Sequence, residues 1–137
     1  MENLYTQIDH PVITHKLSIL RDEKTDSVQF RTLMNEIGRF MAYEATRDLA
    51  QKDVDVTTPM AKTTCKKVAT YPTIVSILRA GNGMLDGALE ALPYASAGHI
   101  GIYRDKFIKN TVEYYFKLPD SAKGNDLLLI DPLLATG

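Results

Sequence analysis

A chain of 137 residues with 45% hydrophobic and 24% charged side chains has the composition of one globular domain, large enough to bury a core and small for two. Its 16 lysines and arginines against 17 aspartates and glutamates leave a formal net charge of -1, which carries no charge argument for nucleic acid or membrane. No apolar stretch approaches the roughly 20 residues of a transmembrane helix, no signal sequence is written at the N-terminus, and the single cysteine, Cys65, has no second thiol or histidine at metal-ligand spacing, so a reducing, cytoplasmic setting is expected.

The first half reads as helical. In "PVITHKLSILRD", Val12, Ile13, Leu17, Leu20 and the stem of Lys16 fall on one stripe, and Pro11 is placed to open the turn. In "TDSVQFRTLMNEIGRFMAYEATRDLA", Phe30, Leu33, Met34, Ile37, Phe40 and Met41 recur at three and four, with Thr25, Asp26 or Ser27 as cap. The stretch "VDVTTPMAKTTCKKVATYP", interrupted by Pro59 and lysines, suits an edge strand or a connecting loop.

From Thr73 the pattern turns to α/β. "TIVSIL" reads as a buried parallel strand, "GMLDGALEAL" as a helix with Met84, Leu85, Ala88, Leu89 and Leu92 on one face, and "AGHIGIY" as a second strand. Together these make a βαβ unit. "YRDKFIKNTVEYYFKL" reads as two extended arms with a turn near Lys109 and Asn110, a projecting hairpin, and "DLLLID" as one more buried strand. No internal repeat, low-complexity segment or linker marks a second domain.

Ligands of open α/β sheets gather beyond the carboxyl ends of the strands. Here those ends read "ILRAGNG", "IYRD" and "IDPLLATG". Two place an arginine after an apolar strand, and arginine's planar fork matches phosphate oxygens. The third places an acid, able to accept hydrogen bonds from two adjacent hydroxyls, before a glycine-containing turn whose amides can wrap a phosphate. The combination suits a ligand with both phosphates and a sugar. A dinucleotide fingerprint is excluded by spacing: Gly81, Gly83 and Gly87 give G-x-G-x-x-x-G, with Asp86 where the third glycine belongs, and no G-K-[ST] occurs for a Walker A loop. His10, His15 and His99 stand isolated and read as structural or solvated, Asp86 as solvent-facing, and Tyr103, Tyr114, Tyr115 and Phe116 as hairpin packing or subunit interface.

"LLLIDPLLATG" resembles the phosphoribosyl-pyrophosphate (PRPP) motif of type I phosphoribosyltransferases. Pro132, where most of that superfamily has a second acid, is the habit of the uracil phosphoribosyltransferases. "HPVITHKLSILRD", "FRTLMNEIGRFMAYEATRDL", "SILRAGNGMLDG", "GHIGIYRD" and "VEYYFKLP" resemble that family's segments in its order, so the likeness runs from His10 to Gly137. Ser76 and Asn82 depart from the family's usual proline and leucine, and "DKFIKN" replaces a more acidic run.

The resemblance implies an α/β fold of the type I phosphoribosyltransferase kind over residues 1–137: a mostly parallel sheet flanked by helices, with N-terminal helices and a projecting β-hairpin. It implies transfer of 5-phosphoribose from PRPP to uracil, giving UMP and pyrophosphate in pyrimidine salvage, with magnesium carried by PRPP. Arg79, beside Ala80 and Gly81, and Arg104 would contact pyrophosphate. Asp131 would hold the ribose hydroxyls, and Pro132, Leu133, Leu134, Ala135, Thr136 and Gly137 would complete the PRPP segment, the last three beginning the 5-phosphate cradle. A homo-oligomer, dimer or higher, and GTP as effector are also implied. The family continues past this turn, so the chain is expected to be a C-terminally truncated fragment, inactive and poorly stable alone, without the residues that recognise uracil. The competing reading is a non-catalytic or RNA-binding regulatory protein of the same fold, against which the absence of a basic stripe speaks.

Overall fold

Pro11 begins α1 (Pro11–Leu20), and His10 caps it, its Nδ1 accepting a hydrogen bond from the Val12 N–H at 3.2 Å. The computed structural model describes residues 6–134. Ile13, Lys16, Ile19 and Leu20 of α1 are half-buried, Val12 and Leu17 are exposed, and Lys16 pairs with Glu36 on the next helix.

Of the three candidate caps for α2 (Ser27–Ala45), Asp26 is the one used: its carboxylate accepts from the Gln29 N–H at 2.8 Å. Replacing Asp26 with alanine is expected to cost about 1 kcal/mol of stability, read as a midpoint shift in thermal or denaturant unfolding. The buried residues of α2 are Leu33, Ile37, Gly38 and Ala42. Phe30 and Met41, expected on the apolar stripe, are exposed. The stripe in contact is rotated toward the third helix, where the small residues let two helix backbones approach.

The segment expected to be an edge strand or loop is instead an antiparallel hairpin, β1 (Gln51–Thr57) and β2 (Lys62–Val68), forming a two-stranded sheet of its own. Pro59 interrupts neither strand because it sits in the turn. The Thr58 N–H donates to the Ala61 carbonyl at 2.9 Å, and the Thr58 hydroxyl accepts from the Ala61 N–H at 3.0 Å. The lysines line the exposed ribbon, Lys66 paired with Asp53.

The main sheet contains β3 (Thr73–Leu78), β4 (Ser96–Arg104), β5 (Thr111–Lys117) and β6 (Leu127–Ile130) in the order β5-β4-β3-β6, with α3 (Asn82–Ala91) crossing over between β3 and β4. β3 is parallel to both β4 and β6, and β5 runs antiparallel to β4, so the sheet is mostly parallel, as the sequence suggests. Ile74 and Ile130 on one face meet Met84, Leu85, Ala88 and Leu92 of the α3 segment and Ala42 of α2 to make the core. The opposite face carries exposed Leu127, Leu129 and Phe116. Ile102–Arg104 run on past the end of β3 and, with the facing residues of β5, form the projecting hairpin. Its turn is held by Asp105, whose carboxylate accepts from the Phe107 and Ile108 N–H groups at 2.8 and 3.0 Å, and Lys109 takes a left-handed conformation. Tyr103 and Tyr114 pack on each other with ring centroids 6.0 Å apart.

Candidate functional site

Since β6, β3 and β4 are parallel neighbours, their carboxyl ends lie along one edge of the sheet. Asp131 directly follows β6, Arg79 directly follows β3, and Arg104 is the last residue of β4. The pairing sets their heights. Ile130 lies opposite Ser76, and Gly101 lies opposite Leu78. At about 3.3 Å per residue, Arg104 therefore stands roughly 7 Å further along the strand direction than Arg79. The fold thus brings three residues, scattered over more than fifty positions of sequence, to the ends of three adjacent strands.

Arg79 and Arg104 are exposed, and neither side chain has an ion pair or hydrogen bond among the described residues. Their guanidinium groups keep their donors available for a ligand, a local positive charge on a nearly neutral chain. Helix amides add little here: the N–H groups of Asn82, Gly83 and Met84 already donate to the carbonyls of Arg79, Ala80 and Gly81 at 3.1 to 3.2 Å.

Gly81 explains how the turn after β3 meets the end of β6. A Cβ placed there would lie 2.5 Å from the Ile130 carbonyl oxygen and 2.7 Å from that of Ile77, so only a residue without a side chain lets this loop sit against the backbone that precedes Asp131. Ala80 is exposed on the same turn. Asp131 is half-buried and borders a cavity of about 270 Å³ shared with Ile13, Leu20, Met34, Met84 and Pro132. Pro132 is half-buried and Leu133 and Leu134 are exposed. Ala135, Thr136 and Gly137, expected to begin the phosphate cradle, lie outside the described residues.

A larger cavity, about 580 Å³, lies elsewhere, between α1 and α2, against Ile8, Ile13, Phe40 and Tyr43. The cations on its rim are already paired, Arg39 with Glu90 and Arg47 with Glu44. Arg47 holds Glu44 in two hydrogen bonds of 2.8 and 2.6 Å, which keeps the Glu44 carboxyl below the usual carboxylate range. A depressed carboxyl contributes above its unfolded value and loses that contribution as pH falls through the folded one. Because this pair lies at the surface, with Arg47 exposed and Glu44 half-buried, Glu44→Gln is expected to leave the unfolding midpoint at neutral pH nearly unchanged.

The remaining titratable candidates fall into place without chemistry. His10 caps α1, His15 and Asp86 are exposed, and Cys65 is a free, half-buried thiol. Among the described residues no cluster of histidine, cysteine or acid could hold a metal ion, and no helix is long and apolar enough to cross a membrane. One polar pair escaped the reading of single residues: Ser76 and His99 face each other across β3 and β4 with Ser76 Oγ and His99 Nδ1 both buried and unpartnered. A serine inside the apolar run "TIVSIL" is the only signal the sequence offered for it.

A family model described as uracil phosphoribosyltransferase matches residues 7–137. A curated uracil phosphoribosyltransferase of Clostridium beijerinckii is 52% identical over 132 residues, covering 96% of this chain and 63% of that protein. One from Desulfitobacterium hafniense is 51% identical over 131 residues, covering 95% and 63%. Among solved structures, that of the AQ2163 protein from Aquifex aeolicus is similar with a TM-score of 0.87 at 32% identity, over 96% of this chain and 63% of that one. The chain spans about 63% of the length of these relatives.

Proposed function

The chain belongs to the uracil phosphoribosyltransferase family, and from that premise we propose that it forms the PRPP-binding part of an enzyme transferring 5-phosphoribose to uracil, with UMP and pyrophosphate as products. The observation that carries the reading is the row of Asp131, Arg79 and Arg104 at the ends of β6, β3 and β4. A sugar phosphate with a pyrophosphate leaving group needs hydroxyl acceptors at one end and strong, fixed cations at the other, and the row offers them in that order.

In the proposed reaction the bond from the anomeric carbon to pyrophosphate breaks as uracil N1 bonds to the same carbon, and the N1 proton leaves to the departing pyrophosphate or to solvent. Negative charge collects on the departing pyrophosphate while the ribose becomes oxocarbenium-like. Arg79 and Arg104 stabilise the first, and the magnesium ion that arrives with PRPP supplies further charge neutralisation. Asp131 accepts hydrogen bonds from the 2- and 3-hydroxyls and keeps the sugar oriented, so that little reorganisation remains at bond breaking. Leu133 and Leu134 lead into Ala135, Thr136 and Gly137, whose amides we assign to the 5-phosphate. The proposal extends to a cytoplasmic enzyme, a homo-oligomer, and GTP as effector.

Two measurements test this reading. Calorimetric titration of the chain with PRPP and magnesium is expected to show saturable binding that Asp131→Ala weakens. The chain joined to the part of the Clostridium beijerinckii relative lying beyond the matched region is expected to form UMP from uracil, PRPP and magnesium. A joined protein that folds but yields no UMP refutes the proposal.

A further inference from the structure

We propose that Ser76 Oγ and His99 Nδ1 are bridged by one internal water into a tie across β3 and β4 that sets how the Arg79 and Arg104 loops stand relative to each other. The two residues are register partners on parallel strands, and their side chains emerge on the same face of the sheet. Ser76 is fully buried, and Ser76 Oγ and His99 Nδ1 are both buried polar atoms without a hydrogen-bond partner. A buried polar atom without a partner is uncommon, and two in one lateral row are not independent exceptions. The two atoms are not hydrogen-bonded to each other. A water between them satisfies both, in a site lined by the two polar groups such a molecule requires.

The position of the row gives the tie its consequence. Ser76 also lies opposite Ile130, so the row Ile130-Ser76-His99 is the last in which β6, β3 and β4 are all paired. Above it β6 leaves into Asp131, while β3 and β4 stay paired through Ile77 with Ile100 and Leu78 with Gly101 before β3 enters Arg79 and β4 runs on toward Arg104. A polar link at this level fixes the lateral position of β4 under its free end, where β3 soon ceases to pair with it. The tie makes Ser76 and His99 positioning residues, and in that role it rests on the assignment of the two arginines above.

The test is nitrogen-15 NMR of the labelled chain and its Ser76→Ala variant, which loses the hydroxyl and keeps the Cβ. The His99 Nδ1 resonance is expected to shift more than its Nε2 resonance. The backbone amides of Ala80 and Gly81 and those of Arg104 and Asp105 are expected to move together, while the β1–β2 hairpin stays unchanged. His99→Phe, the reciprocal variant, is expected to move the Ala80 and Gly81 amides. An unmoved Nδ1 resonance in Ser76→Ala overturns the tie, and so does a shift confined to Nδ1 with both arginine loops unchanged. PRPP titration separates this from the functional reading. A wild-type chain that binds PRPP, with about tenfold weaker binding in Ser76→Ala, supports the positioning role. Equal binding by both overturns it. A wild-type chain blind to PRPP removes the functional reading, and the NMR shifts still decide whether the tie exists.

Discussion

Arg79→Ala, made in the chain completed with the remaining part of a relative, is expected to lower kcat for UMP formation by about 10²- to 10³-fold while leaving the fold intact. The size follows from the role proposed for the guanidinium. It meets a charge that grows during pyrophosphate departure, and removing one preorganised donor of that kind costs about 2.7 to 4 kcal/mol of barrier. The intact fold follows from its surroundings: Arg79 is exposed and unpaired among the described residues, so its removal leaves no buried partner stranded, and surface changes of this sort fall within about 0.5 kcal/mol. Arg79→Lys keeps the charge but loses the fork, so it should recover activity only in part. Single-turnover kinetics beside an unfolding curve separate the two effects. Full turnover in Arg79→Ala would remove the pyrophosphate assignment, whereas a loss of turnover matched by a loss of stability would assign the arginine to the fold instead.

The parts of this architecture legible in the sequence were those encoded by runs of one periodicity. "TIVSIL", "GMLDGALEAL" and "DLLLID" are short, apolar and bounded, and they occupy β3, α3 and β6 almost residue for residue. The strand-end residues were legible for the same reason, since locating a strand also locates the residue at its carboxyl end. The β1–β2 hairpin was hidden because its strands are mostly exposed and β2 is rich in lysine, so burial leaves only a short alternation at Val54 and Val56, and Pro59 read as a breaker when it is a turn residue. The true contact face of α2 was hidden because Gly38 and Ala42, which carry it, contribute little to a count of large apolar side chains. The Ser76–His99 row depends on register between strands more than twenty residues apart, which no local pattern encodes.

The glycines of "GNGMLDG", which fail as a dinucleotide fingerprint, have a packing explanation that makes the largest stability prediction. α2 and α3 cross with their backbones close. A Cβ at Gly87 would fall 1.8 Å from the Asn35 carbonyl oxygen and 2.8 Å from its carbonyl carbon, and one at Gly38 would fall 2.7 Å from the Met84 carbonyl oxygen. The obstacles are main-chain atoms, so no rotamer change relieves them. Gly87→Ala must force the helices apart and loosen the packing of Leu33 and Ile37 on α2 and of Met84, Leu85 and Ala88 on α3, all buried in the native arrangement. Overpacking of this kind typically costs about 1 to 3 kcal/mol. With backbone as the obstacle, the upper end is expected, about 3 kcal/mol and a fall of about 10 °C in Tm. Gly83 is the internal control. It lies on the same helix but is exposed, and a Cβ there would meet only the flexible Met34 side chain at 3.4 Å. Gly83→Ala should therefore raise stability by about 0.5 kcal/mol, since alanine restricts the unfolded chain and favours the helix. Denaturant unfolding of both variants, with unchanged slope and midpoints displaced in opposite directions, is the expected result. Equal midpoints would mean that the α2–α3 crossing is wider than its glycines indicate.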